Sequence, residues 1–167
     1  MKVVVTGGTG MIGRKLIDSL LAMPELIDRD GNMAEVTAIT AFDVVAPNPP
    51  LPDDPRLTIV TGEISDAEAV EALIDDDTDT VFHLAAVVSA QAEEDFDLGM
   101  RVNLDGTRIT LERCRALGHV PRVVYASSVA AFGGNMPDVI NDTVTPNPQT
   151  TYGVTKVIGE YLIDDYS

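Results

Sequence analysis

The sequence predicts a doubly wound parallel α/β sheet, and three observations predict it. The opening stretch KVVVTGGTGMIG, Lys2 to Gly13, runs from a β-branched strand through a glycine-rich turn into a helix. Short apolar runs then alternate with longer helical stretches, the order that builds right-handed β-α-β crossovers. Finally, Tyr152 and Lys156 stand four apart on the last helical stretch, so they share one face.

Val3, Val4 and Val5 form an unbroken run, as a strand covered on both faces requires. Gly8, Gly10 and Gly13 fit G-x-G-x-x-G, and Gly7, Gly10 and Gly13 fit G-x-x-G-x-x-G. Glycine there permits a sharp turn and lets backbone approach a pyrophosphate. A helix from Arg14 to about Met23 aims its free N–H groups at those phosphates. Residues 24–33 read as a surface loop and 35–42 as the second strand, ending at Asp43. Residues 46–55 hold five prolines and two aspartates and read as a loop. Strand three covers 57–60. Asp66 is the expected N-cap of a helix through Leu73 and Ile74. Strand four covers 80–84, and 85–94 read as a small-residue loop. A long helix spans 96–117, strand five 122–126, a long loop 127–148 and the last helix 151–166.

At 167 residues the chain is expected to form one domain, with an aliphatic core because aromatics make up only 5%. The net charge of −16 argues against nucleic acid or an anionic membrane surface as partner. An anionic cofactor must then be held by local backbone dipoles. Asp75, Asp76 and Asp77 read as a solvated acidic face near a helix C-terminus. No apolar run approaches the roughly 18 residues of a membrane span. Cys114 is the single cysteine and reads as a small core residue. With no charged leader ahead of the first strand, a cytoplasmic location is expected.

In such sheets ligands bind beyond the carboxyl ends of the strands, where every chemically interesting residue falls. Asp43 ends strand two, where a carboxylate accepts hydrogen bonds from ribose hydroxyls and repels a 2′-phosphate. NAD is therefore expected over NADP. Arg14 is the competing signal, a cation near the glycine turn. A phenol is a poor base near neutrality, with a reference pKa of about 10. A neighbouring ammonium stabilises the phenolate, so Tyr152 and Lys156 make a proton shuttle for alcohol oxidation. Ser127 and Ser128 follow strand five, where a hydroxyl can bond a reacting oxygen or merely form a turn. Asn103 lies inside the long helix, either as a buried member of the site or exposed. His83 and His119 have no neighbouring ligand at metal spacing and read as structural; no metal site is expected.

TGGTGMIG, Asp43, Glu63-Ile64, HLAA at 83–86, NLDGT at 103–107, YASSVAAFGG and YGVTK, in that order, resemble the extended short-chain dehydrogenase/reductase family of the epimerase/dehydratase type. The resemblance implies a Rossmann sheet and NAD as cofactor. It places the catalytic serine on Ser128, the base on Tyr152, the ribose-holding lysine on Lys156 and a supporting asparagine on Asn103. Cofactor contacts fall on Gly7, Gly10, Met11, Ile12, Gly13, Asp43, Glu63, Ile64, Leu84, Ala85, Ala86, Tyr152 and Lys156. Glu63 replaces the more usual Asp. HLAAVVS and EEDFDLGMRVNLDGTR are similar to a branch of sugar-acid dehydrogenases, with nucleotide-sugar epimerases as the alternative.

Members of that family continue for a further half-chain that carries the substrate domain. The expectation is therefore a cofactor domain over 1–167, cut after the helix of Tyr152 and Lys156, with strand five an open edge. A homodimer through the helices near 96–117 and 151–166 is implied, with a small-molecule substrate as the other partner. Two further readings stand beside the enzyme: a dinucleotide-binding module without catalysis, and an interaction fragment that does not fold alone.

Overall fold

The computed structural model describes residues 1–23, 25–28 and 30–167. Its elements in chain order begin with β1 (Lys2–Thr6), α1 (Met11–Ala22), β2 (Glu25–Ile27), β3 (Met33–Glu35), β4 (Ala38–Asp43) and β5 (Leu57–Thr61). They continue with α2 (Ala67–Leu73), β6 (Thr78–His83), α3 (Ser89–Glu94) and α4 (Phe96–Gly99). A π-helical segment, Met100–Asp105, leads into α5 (Gly106–Ala116), followed by β7 (Arg122–Tyr125), a 3₁₀ turn at Val129–Ala131 and α6 (Thr151–Asp165).

Five strands form one parallel sheet in the order β5-β4-β1-β6-β7. The order reverses beside β1, so the crevice between the ends of β1, β4 and β6 is where such a sheet takes a ligand. Alternation along β1 divides the core. Val3 and Val5 pack with Ile17 and Leu20 of α1 on one face. Val4 packs with Val70, Leu73 and Cys114 of α2 and α5 on the other. Burial pushes the Cys114 thiol up to about 11, so it stays protonated and apolar in character.

Asp66 caps α2 as expected, accepting from the amides of Glu68 and Ala69. Asp75 departs from a solvated face: it takes an ion pair from Lys2 and a 3.0 Å hydrogen bond from the Thr78 hydroxyl. With Asp79 accepting from the Lys2 amide at 2.8 Å, it pins the start of β1 to the start of β6. β7 closes the sheet as an edge strand, with Val124 41% exposed.

The structure corrects several expected boundaries. The loop expected over 24–33 carries an antiparallel hairpin of β2 with β3, turned by Asp28, whose Oδ1 accepts from the amides of Asp30 and Asn32. Pro24 and Arg29 of that loop lie outside the described residues. The second sheet strand begins at Ala38, because Met33–Glu35 belong to the hairpin. The loop over 85–94 contains α3. The helix over 96–117 is interrupted by the π segment, and the loop over 127–148 starts with the 3₁₀ turn.

Candidate active site

The glycine turn between β1 and α1 is shaped by contacts no side chain would permit. Gly7 has φ +70°, and a Cβ there would meet the Ala85 amide nitrogen at 2.9 Å. A Cβ on Gly13 would lie 2.7 Å from the Cα of Gly8. Helix α1 can start this close to the strand only because both positions are bare. Met11 and Ile12, its first residues, are 72% and 57% exposed.

Thr6 ties the turn to the neighbouring strand. Its hydroxyl oxygen accepts from the amides of Leu84 and Ala85, both at 3.2 Å, and lies 3.0 Å from Nδ1 of His83. His83 is 1% exposed, and burial pulls its pKa down to about 3, so the ring is neutral. Thr107 donates its own proton to the Asn103 carbonyl at 2.7 Å and therefore accepts from Nε2 of His83 at 3.0 Å. The ring is thus the Nε2–H tautomer, with Nδ1 accepting from Thr6. His119 bonds the Thr78 carbonyl at 2.8 Å.

Asp43 receives the Thr9 amide on Oδ2 at 3.0 Å and the Val44 amide on Oδ1 at 2.8 Å. Each oxygen keeps acceptor capacity for a hydroxyl. Arg14 is directed elsewhere: its guanidinium donates to the carbonyls of Thr9 and Pro49. Gly7, Gly10, Asp43, Glu63, Ile64 and the stretch 84–86 line one cavity of about 510 Å³. Met11, Ile12, Gly13, Asn103, Ser128, Tyr152 and Lys156 are outside its wall.

Asn103 is 2% exposed and sits in the π segment. Its Oδ1 accepts from the Val87 amide at 2.8 Å, and its Nδ2 donates to the Val87 carbonyl at 3.2 Å. The same amide group reaches the Thr155 hydroxyl at 3.5 Å, which in turn donates to the Tyr152 carbonyl at 2.8 Å. Asn103 thus joins the loop after β6 to α6 from within a widened helical turn.

Lys156 is 3% exposed and donates to the Ala126 carbonyl at 2.8 Å. Its Nζ lies 4.9 Å from the centre of the Tyr125 ring and 5.6 Å from that of Tyr152. Ser128 follows two residues after Ala126; its Oγ accepts from the Ala130 amide at 3.2 Å, which leaves its proton free to donate. Ser127 is committed differently, donating to the Glu160 carboxylate. The two serines, which residue type alone leaves equivalent, therefore differ in what they can reach.

Three polar contributors, Thr6, Thr107 and Glu93, were not singled out by sequence reasoning. Thr6 ends a buried strand, which is a usable signal. Thr107 stands four after Asn103, a helical spacing. Glu93 of α3 accepts from the Tyr152 amide at 3.1 Å, across 59 residues of chain, and no local pattern marks it. Thr150 provides the local cap of α6 through the Gly153 amide. Among the described residues no three metal-ligating side chains cluster, and no helix is long and apolar enough to cross a membrane.

Strand order, glycine turn and the carboxylate ending β4 define a fold of the Rossmann class. Residues 3–167 match the model of the NAD dependent epimerase/dehydratase family, and the chain belongs to that family. It is 53% identical over 167 residues to D-erythronate dehydrogenase of Cupriavidus necator, covering 100% of this chain and 51% of that protein. A nucleoside-diphosphate-sugar epimerase from Agrobacterium tumefaciens superposes with a TM-score of 0.88 at 38% identity, over 99% of this chain and 48% of that one. The UDP-glucose 4-epimerase of Thermus thermophilus, solved in complex with NAD, gives 0.81 at 30% identity, over 99% and 50%. The chain spans about half the length of the relatives it matches.

Proposed function

We propose that this chain is the NAD-binding and catalytic half of a dehydrogenase that oxidises one hydroxyl of a small sugar acid such as D-erythronate. The observation that carries the reading is the placement of Lys156: buried, bonded beside the serine pair, and one helical turn from Tyr152. The 53% identity to a D-erythronate dehydrogenase supports the substrate class. On this reading the substrate-binding part lies outside residues 1–167, and the dimer helices are those near 96–117 and 151–166.

Two features of the cradle support the cofactor's fit. Gly7 and Gly13 let the turn pack tightly against the chain after β6 and against the start of α1, and the adjoining cavity of about 510 Å³ meets the Asp43 carboxylate. Gly7, Gly10, Met11, Ile12 and Gly13 would hold the pyrophosphate, Asp43 the adenine-side ribose, and Glu63, Ile64 and 84–86 the rings. Bound there, NAD supplies the hydride acceptor. Tyr152 takes the hydroxyl proton at Oη. Ser128 donates a hydrogen bond to the reacting oxygen. Lys156, with its Nζ 5.6 Å from the centre of the Tyr152 ring, would bond the nicotinamide ribose. Asn103 keeps the loop at Val87 in register with α6.

Two measurements test this. Thermal unfolding of the chain is expected to shift upward with NAD and hardly with NADP; occupancy at 100 Kd adds roughly 2.7 kcal/mol. In the complete enzyme, Tyr152→Phe is expected to abolish sugar-acid oxidation and keep NAD binding. Undiminished turnover in that variant overturns the assignment of the base. Epimerisation of a nucleotide sugar is the second reading, favoured by the fold match to the Agrobacterium epimerase. Turnover of UDP-sugars in place of sugar acids would establish it.

A further inference from the structure

We infer that Glu160 is a positioning residue for the catalytic set, acting through Ser127; the inference rests on the reading above, in which Ser128 and Lys156 serve the reacting oxygen and the nicotinamide ribose. Tyr152, Lys156 and Glu160 stand at i, i+4 and i+8 on α6 and form one stripe. Residues 125–130 run beneath it and are fastened at four successive points. The Tyr125 ring lies against Gly159, where a Cβ would meet the ring's Cε1 at 2.9 Å. The Ala126 carbonyl accepts from Lys156. The Ser127 hydroxyl donates to Glu160. The Ala130 backbone lies against Gly153, where a Cβ would sit 3.0 Å from the Ala130 carbonyl carbon.

The Ser127–Glu160 bond decides which way the serine pair faces. Ser128 is extended, at φ −152° and ψ 151°, and successive side chains on extended backbone point to opposite sides. Holding Ser127 on the Glu160 side therefore sends Ser128 to the other. What the contact needs at position 160 is an acceptor oxygen within reach of the Ser127 hydroxyl, which a carboxylate or an amide oxygen supplies. Its loss frees the peptide plane next to Ala126 as well, so Lys156 loses the rigidity of its acceptor. The nicotinamide end of the site is affected, while the adenine end, built on β1, β4 and β5, is not.

That asymmetry is the test. NADH and ADP are titrated against the wild-type chain, Ser127→Ala, Glu160→Ala, the double variant and Glu160→Gln. ADP carries the adenine side only. Each alanine variant is expected to weaken NADH about tenfold, the double no more than either single, with ADP unchanged and Glu160→Gln near wild type because its amide oxygen still accepts. Equal losses for both ligands, additive losses, or no loss overturn the inference. Should the wild-type chain bind neither ligand, the proposed function fails on its own account. Amide exchange then decides: Glu160→Ala is expected to speed exchange at Ala131 and Phe132, whose amides bond the Ser128 and Val129 carbonyls, and to leave Val81 unchanged. Unchanged exchange at 131 and 132 overturns the positioning role.

Discussion

The ammonium of Lys156 donates to the carbonyl of Ala126 over 2.8 Å. It does so from a site only 3% exposed, and burial pulls its pKa down to about 8 from 10.5. Below pH 8 the folded and unfolded chains both carry the proton, and the fold bears the cost of a buried charge. Between pH 8 and 10.5 the unfolded chain keeps a proton that the folded chain has released, so stability rises with pH across that window.

Lys156→Met removes the buried charge. At pH 7 the variant is expected to be more stable by on the order of 2 kcal/mol, after allowing for the lost hydrogen bond. The margin closes as pH approaches 10.5. Urea melts at about pH 7 and pH 10 measure both, and NADH titration is expected to show binding lost. A variant less stable than wild type at neutral pH would refute the desolvation argument.

His83 works in the opposite pH range. Its folded pKa of about 3 lies below the ordinary 6.5, so between those values the unfolded chain binds a proton that the folded chain refuses. Stability falls with acidification through that window, by up to about 1.4 kcal/mol per pH unit from this group. His83→Gln should be somewhat less stable at neutral pH, having lost the fit to Thr6 and Thr107, and should show a shallower fall from about pH 6 to 4. Parallel stability curves for the two proteins would exclude His83 as the source.

The parts of this molecule that follow from short-range pattern were legible in sequence. Val3 to Val5, the glycine spacing and the Tyr152–Lys156 interval each express a local period, and each took its expected place. The Asp66 cap was legible for the same reason. The β2–β3 hairpin was not, because its strands are three residues long and mostly exposed, and its turn is closed by backbone bonds between Asp28, Gly31 and Asn32 together with the Asp28 side chain. Nor was the π segment, which departs from the helical period only where Asn103 must reach Val87. The bonds from Glu93 to the Tyr152 amide and from Ser127 to Glu160 span 59 and 33 residues, distances over which residue type alone says nothing about contact.

Glycine requirements in the turn are graded, and the grading is measurable. A Cβ at Gly13 would sit 2.7 Å from the Gly8 Cα, among backbone atoms that have no room to move. At Gly10 the nearest atom is the Gly7 carbonyl oxygen at 3.3 Å, and at Gly118 nothing lies within 4 Å. Gly13→Ala is expected to cost about 1–3 kcal/mol and abolish NAD binding, Gly10→Ala to cost less, and Gly118→Ala to be neutral. Chemical melts and NAD titrations of the three variants give the order. Gly10→Ala proving the more damaging would contradict the packing.

Tyr125 presents the reverse case, an atom whose removal should help. Its hydroxyl is buried without a well-formed hydrogen bond among the described residues, only an approach to the Thr107 hydroxyl that offsets little, and burial pushes the phenol pKa up. The ring itself is useful: it stacks on His83 with centroids 5.9 Å apart and lies beneath Lys156. Tyr125→Phe keeps both ring contacts and deletes a poorly paired buried polar group, so it is expected to be neutral or stabilising by about 1 kcal/mol. Gly159→Ala places a methyl against the same ring and is expected to destabilise. The double variant should recover part of that loss, because the atom nearest the new methyl is the hydroxyl that Phe lacks. Thermal melts of the two singles and the double complete the cycle. Strict additivity would mean that the ring and the glycine do not press on one another as the packing requires.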